Sequence, residues 1–252
     1  MSCGVPPIDH FPSTHRTWLE TQVDEGLDAQ RAGDSAAHTA ALRAIGAHVM
    51  NRYRLPLIAY VRGSRWRTFG DAEDLVAGFF ARRLSSLEYF DRWRGVRVSL
   101  RRWLMNGMIL DLRTMARDQR RQSARESGGD ASVAATEIDA SHDDLDQRAE
   151  RVFDRAWARG LLQVAAERTA QELEGEGKES SWRIFERHLL DEVQLAIVAK
   201  EVGVAVSEAR AMCRLSAYRL KRALRALLCE EGTPEVDVDH AVKDVYAAAL
   251  GD

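Results

Sequence analysis

The chain has 252 residues, 45% of them hydrophobic, and a formal charge of −3 from 36 Lys and Arg against 39 Asp and Glu. That length suits one large or two small domains with a real core. The charge balance excludes a polycation, so any nucleic-acid surface must be a local patch. Five prolines among abundant Ala, Leu, Arg and Glu favour a mainly helical protein. Cys3, Cys213 and Cys229 are odd in number and unevenly spaced, which suits a reducing compartment better than a disulfide scaffold. No stretch is apolar and long enough to span a membrane, and no charged-then-apolar leader opens the chain. A cytoplasmic location with no membrane partner is expected.

Residues 1–15 contain Pro and Ser and are expected to be loosely ordered. From Thr17 the pattern turns helical, with Trp18, Val23 and Leu27 near one face. Residues 35–62 continue it through Leu42, Ile45, Val49, Tyr53, Leu57, Tyr60 and Val61. Pro56 either starts a new helix or kinks a long one. Gly70-Asp71 opens the next, with Asp71, Glu73 and Asp74 in a first turn where negative charge suits the helix dipole. Leu75, Val76, Phe79, Phe80, Leu84 and Leu87 form its apolar side, and Arg94-Gly95 ends the run. A helix from about Ser99 carries Leu100, Trp103, Leu104, Met108 and Leu112 inward.

Residues 122–147 change character to Ser, Gly, Ala and Asp, which predicts a flexible linker between two helical domains, 1–121 and 148–252. Its second half is acidic. Helical pattern returns at about Arg148 with Val152, Phe153, Trp157, Leu161, Leu162 and Val164, and breaks between Gly175 and Gly177. Trp182, Ile184, Phe185, Leu189 and Leu190 form a further apolar stripe. Residues 232–252, with Val236, Val238, Val242, Val245 and Leu250, predict a short terminal helix against the second domain.

Two basic elements stand out. Arg113, Arg117, Arg120 and Arg121 fall at i, i+4, i+7 and i+8, one helix face able to neutralise several phosphates. Trp103 on the same helix has the chemistry to stack on an exposed base; packing in the core and a solvated Arg face are the alternative. Further on, Gln194 to Val202 reads as a short helix, Gly203 as the turn, Val204 and Val206 as corner plugs and Ser207 as the N-cap of a second helix. Leu195, Val198, Ala199 and Val202 would pack the first of these helices, and Cys213, Ala217, Leu220, Leu224 and Leu227 the second. Arg210, Arg214, Arg219, Lys221, Arg222 and Arg225 then line that second helix, as in a helix-turn-helix whose start meets base edges and whose later residues meet phosphate.

Catalytic patterns are missing. There is no phosphate-binding glycine loop, His-Glu-x-x-His, Cys-x-x-Cys or Gly-x-Ser-x-Gly. Cys3, His10 and His15 match no standard zinc spacing. A non-enzymatic protein without a cofactor or metal is expected.

Taken in order, these residues resemble a bacterial RNA polymerase sigma factor of the sigma-70 family, extracytoplasmic-function (ECF) group. Asp71-Ala72-Glu73-Asp74-Leu75-Val76 followed by Phe79-Phe80 is similar to the helix that docks on the polymerase clamp, although Ala77 stands where the family usually has Gln. Ser99 to Arg121 is similar to the helix that melts and reads the −10 element, and 194–228 to the unit that reads the −35 element. Phe11-Pro12-Ser13-Thr14 and Phe153-Asp154-Arg155-Ala156-Trp157 resemble a longer subgroup common in planctomycete-type bacteria. The resemblance implies that Asp71, Asp74, Arg82 and Arg83 lie near core RNA polymerase. It implies Trp103, Arg113, Arg117, Arg120 and Arg121 at −10 promoter DNA, and Ser207, Arg210, Arg214, Arg219 and Arg222 at −35 DNA. It also implies an anti-sigma protein as a regulatory partner. A stand-alone helix-turn-helix regulator and a sigma-like adaptor that meets acidic proteins are the competing expectations. The acidic linker folding back on the basic helices is an alternative means of control.

Overall fold

The structure, a computed structural model, describes residues 15–96, 98–127, 143–231 and 233–251. Cys3, His10 and Phe11-Pro12-Ser13-Thr14 lie outside them, as does the middle of the expected linker. Among the described residues the regular elements are all helical. The α-helices are α1 (His15–Ala32), α2 (Ser35–Gly63), α3 (Ala72–Arg83), α4 (Glu88–Arg94), α5 (Leu100–Ser127), α6 (Asp143–Gly175), α7 (Glu179–Phe185), α8 (Leu195–Val202), α9 (Val206–Glu230) and α10 (Val238–Leu250), with 3-10 turns at Arg65–Thr68 and Glu235–Asp237 and a π-helical turn at Glu186–Leu190. No described helix is long and apolar enough to cross a membrane.

The boundaries follow from local chemistry. Gly33 at φ 76° turns the chain after α1, and the Asp34 carboxylate accepts from the Ala36 and Ala37 amides to start α2. Pro56 sits inside α2 without ending it, buried in the core. Asp71 caps α3 in the same way, accepting from the Glu73 amide at 2.8 Å and the Asp74 amide at 3.2 Å. The expected helix between Gly70 and Arg94 is two, because the chain leaves helical form between Leu84 and Leu87 before α4 begins.

One large apolar cluster holds most of the molecule. It joins Val49, Tyr53 and Leu57 of α2, Phe79 of α3, Phe90 and Trp93 of α4 and Leu104 and Leu112 of α5. Phe153, Ala158 and Leu161 of α6, Leu224 and Leu227 of α9 and Val242 of α10 belong to the same cluster. The core therefore crosses the expected linker, and α6 lies along α2. Helix also enters the linker from both sides: α5 runs on to Ser127 and α6 starts at Asp143.

A second, smaller cluster holds Ile184 and Phe185 of α7, Val198 and Ala199 of α8 and Ala209 and Cys213 of α9. Helix α9 thus serves both clusters. Its first half packs on α7 and α8, its last turns on α1, α6 and α10, and Leu220 touches both clusters. The terminal helix α10 buries Val238, Val242 and Val245 against α6 and α9, as its spacing predicts. Val236 and Leu250, expected with them, are exposed.

Polar groups reinforce the join between α2 and the end of α9. Arg52 reaches Glu231 at 2.6 Å and Glu230 at 3.0 Å, while Arg168 of α6 reaches Glu230 at 2.6 Å. The Tyr53 hydroxyl also donates to Glu231, which is buried. Burial pushes the Glu231 carboxyl above the usual carboxylate range, and Arg52 opposes that shift.

Candidate nucleic-acid interface

Helix α5 is buried on one side by Leu100, Leu104, Met105, Met108, Leu112 and Ala116, and nothing described beyond Ala116 is buried. Its last eleven residues therefore project past the core for about 16 Å. Arg113, Arg117, Arg120 and Arg121 lie exposed along this end. Arg121 has Asp118 at 3.9 Å, and the other three meet no carboxylate among the described residues. A projecting helix with uncompensated guanidinium groups suits a polyanion, since each phosphate neutralised releases counterions.

Trp103 is placed differently from the stacking role expected of it. The indole is half-buried, its ring centroid 5.4 Å from that of Tyr89, and the Tyr89 hydroxyl donates to the Trp103 carbonyl. Spacing alone puts Trp103 beside the buried stripe of Leu100 and Leu104, and packing claims it.

The second basic element starts from a tight turn. Gly203 ends α8 at φ 78°, in the left-handed region, and the Val204 amide reaches back to the Ala199 carbonyl at 3.0 Å. Val204 and Ala205 then lead into α9. Two details correct the sequence reading. The N-cap is Ala205, which makes no side-chain cap, so Ser207 sits in the first turn rather than capping it. Val206 is 41% exposed and plugs nothing, because extended backbone at Ala205 (ψ 147°) starts the helix two residues early and turns Val206 outward. Ser216, not Ala217, takes the buried place on α9, and Leu189 and Leu190 are exposed beyond α7.

Helix α9 divides along its length. Ser207, Arg210 and Arg214 occupy one exposed face of its first half, and neither arginine meets a carboxylate among the described residues. Tyr218, 65% exposed, continues that face at i+4 from Arg214. Sequence reasoning passed it over, although its spacing from Arg210 and Arg214 marks it. In the second half the basic residues are engaged. Arg219, 17% exposed, meets Glu172 and lies 3.0 Å from Glu176, and Arg222 also meets Glu172. Lys221 and Arg225 share Asp239 of α10 at 3.3 and 2.5 Å. Those two cations hold the Asp239 carboxyl below its usual range. Most of these pairs are open to solvent, where water and salt screen them, so the set positions α9 more than it stabilises the fold.

The expected polymerase face on α3 is likewise mixed. Asp71 is a capping residue, and Asp74 is exposed with no ion pair among the described residues. Arg82 and Arg83 both turn to Asp111 of α5, Arg83 at 3.3 Å, and tie α3 to α5. The glutamate between the two aspartates, Glu73, pairs with Arg54 at 2.8 Å and Arg62 at 3.3 Å. Neither described cysteine is set up as a nucleophile, because burial pushes the Cys213 and Cys229 thiols up.

Two groups of free arginines thus stand on different helices, α5 and the first half of α9. No family model, curated protein or solved structure matches the chain.

Proposed function

We propose that the chain is an ECF-type sigma factor: it binds core RNA polymerase, brings it to a promoter and helps open the duplex. One observation carries this reading. Exposed arginines that meet no carboxylate among the described residues line the projecting end of α5 (Arg113, Arg117 and Arg120) and the leading half of a helix that follows a tight turn (Arg210 and Arg214). Two sets suit two DNA contacts held by one protein, where binding at the first raises the effective concentration at the second. In this reading α8 and α9 form the helix-turn-helix, with Ser207, Arg210 and Arg214 facing the major groove of the −35 element. Arg113, Arg117, Arg120 and Arg121 meet the −10 DNA, and the exposed side of α3 around Asp74 meets the polymerase. The N-terminal unit (1–121) and the C-terminal unit (148–252) act as two reading domains, packed together in this form and joined through 122–147.

The test is transcription from the promoter upstream of the chain's own gene, with purified protein and cognate core polymerase. Promoter-specific transcripts and a complex with core support the reading. Arg214→Ala should cost about 1–3 kcal/mol of binding to the cognate site if Arg214 reads a base. An equal loss on every sequence would show phosphate contact instead.

A stand-alone regulator is the competing reading, favoured by the engagement of Arg82 and Arg83 with Asp111. It predicts tight duplex binding without polymerase, as a dimer on a palindrome.

A further inference from the structure

Tyr218 of α9 is 65% exposed, and its hydroxyl has no hydrogen-bond partner among the described residues. Ser207, Arg214 and Tyr218, at i, i+7 and i+11, lie within about 40° of one line along the helix, with Arg210 beside it. That line is opposite the buried side of Ala209, Cys213 and Ser216. Arg219 lies off the line, engaged with Glu172 of α6. Lys221 and Arg225 return to the line, but Asp239 of α10 holds them at 3.3 and 2.5 Å. Tyr218 is therefore the last hydrogen-bonding side chain on this line that is free before α10 closes it.

We infer that Tyr218 is a phosphate-anchoring residue of α9: its hydroxyl donates to a DNA backbone phosphate at the wall of the major groove and marks the outer edge of the contact. This rests on the proposed DNA-reading role of α9. Tyr218 stands about 16 Å beyond Ser207 along the helix, while the major groove is about 12 Å wide. With Ser207 and Arg210 among the base edges, Tyr218 falls at the sugar-phosphate wall. A phenol suits that place, because its hydroxyl donates to a phosphate oxygen while its ring lies on the adjoining sugar. The donor is neutral. It fixes the register of α9 on the duplex without adding a charge, and it carries no sequence information.

The experiment measures binding of the full chain to two duplexes of equal length across a salt series, one from upstream of the chain's own gene and one scrambled. Tyr218→Phe should bind both about fivefold more weakly, the loss of one hydrogen bond. Its slope of log K against log salt should match the wild type, because a neutral donor releases no counterion. Tyr218→Lys should steepen that slope by about 0.9, the value for one further charge on phosphate. Neutral methylphosphonate placed at each backbone position in turn should find one phosphate whose replacement weakens the wild type more than Tyr218→Phe. Melting temperatures should agree in all three proteins, since the side chain is exposed. Unchanged affinity of Tyr218→Phe, or no methylphosphonate position that separates it from the wild type, overturns the inference. So does a loss confined to the upstream duplex, which would make Tyr218 a base reader, an unchanged slope in Tyr218→Lys, or a lowered melting temperature in Tyr218→Phe. Failure of the folded wild type to bind either duplex, checked by circular dichroism, would instead remove the DNA-reading role of α9 and this contact with it.

Discussion

Glu231 shows how one buried side chain sets a pH dependence. Its carboxyl titrates above the usual range because burial disfavours the charge more than Arg52 favours it. The stability this group contributes is thus complete below the ordinary carboxylate pKa and is lost as pH rises through the elevated one. Melting curves of the wild type and Glu231→Gln, taken from acid to neutral pH, should show the wild type losing ground as pH climbs; a constant gap would reject this. No such role was legible in the sequence, where Glu230-Glu231 reads as the polar end of a helix. Its partners Arg52 and Tyr53 lie far away in the chain, and only packing of α9 on α2 brings them together. By contrast, the Asp71 cap was legible, because a cap is made with amides two and three residues on.

At the scale of elements, the α8–α9 unit depends on Gly203. A Cβ there would meet no atom within 4 Å, so substitution costs conformation and not space. Gly203→Ala should destabilise by about 1–2 kcal/mol in thermal unfolding, the cost of placing an L residue in the left-handed region. Helix existence was well marked throughout by apolar periodicity, including α10. Boundaries were less so. Ser207 has the chemistry of a cap, yet the backbone of Val204 and Ala205 starts α9 earlier. The free and engaged halves of α9 look alike in sequence, since both are simply Arg-rich. What separates them is the approach of α6 and α10, a tertiary fact. The same holds for Arg82 and Arg83, whose partner Asp111 lies on another helix.

For the whole molecule, the unequal clusters predict unequal local stability. The small cluster of α7, α8 and early α9 buries few side chains, whereas α2 and α6 sit in the large one. Native-state hydrogen exchange should therefore release the amides of α8 well before those of α2. Uniform protection would mean that both clusters open together. Phe153, fully buried on α6, lies where the two expected domains meet. Phe153→Ala should cost about 3–5 kcal/mol by denaturant titration and loosen that join. The expectation of separate domains came from a change in composition at 122–147, which carries no information about what packs across it. One further consequence follows from α9, 25 residues long and shared by both clusters. Because the helix is continuous, about 37 Å from end to end, a tilt of its leading turns is felt at Leu224 and Leu227. Anyone grafting a new specificity onto this scaffold has no loop at which to cut. The splice must fall inside the helix, near Leu220, and it must keep the helical phase, because one residue added or lost rotates the reading face by about 100° relative to the rest of the protein.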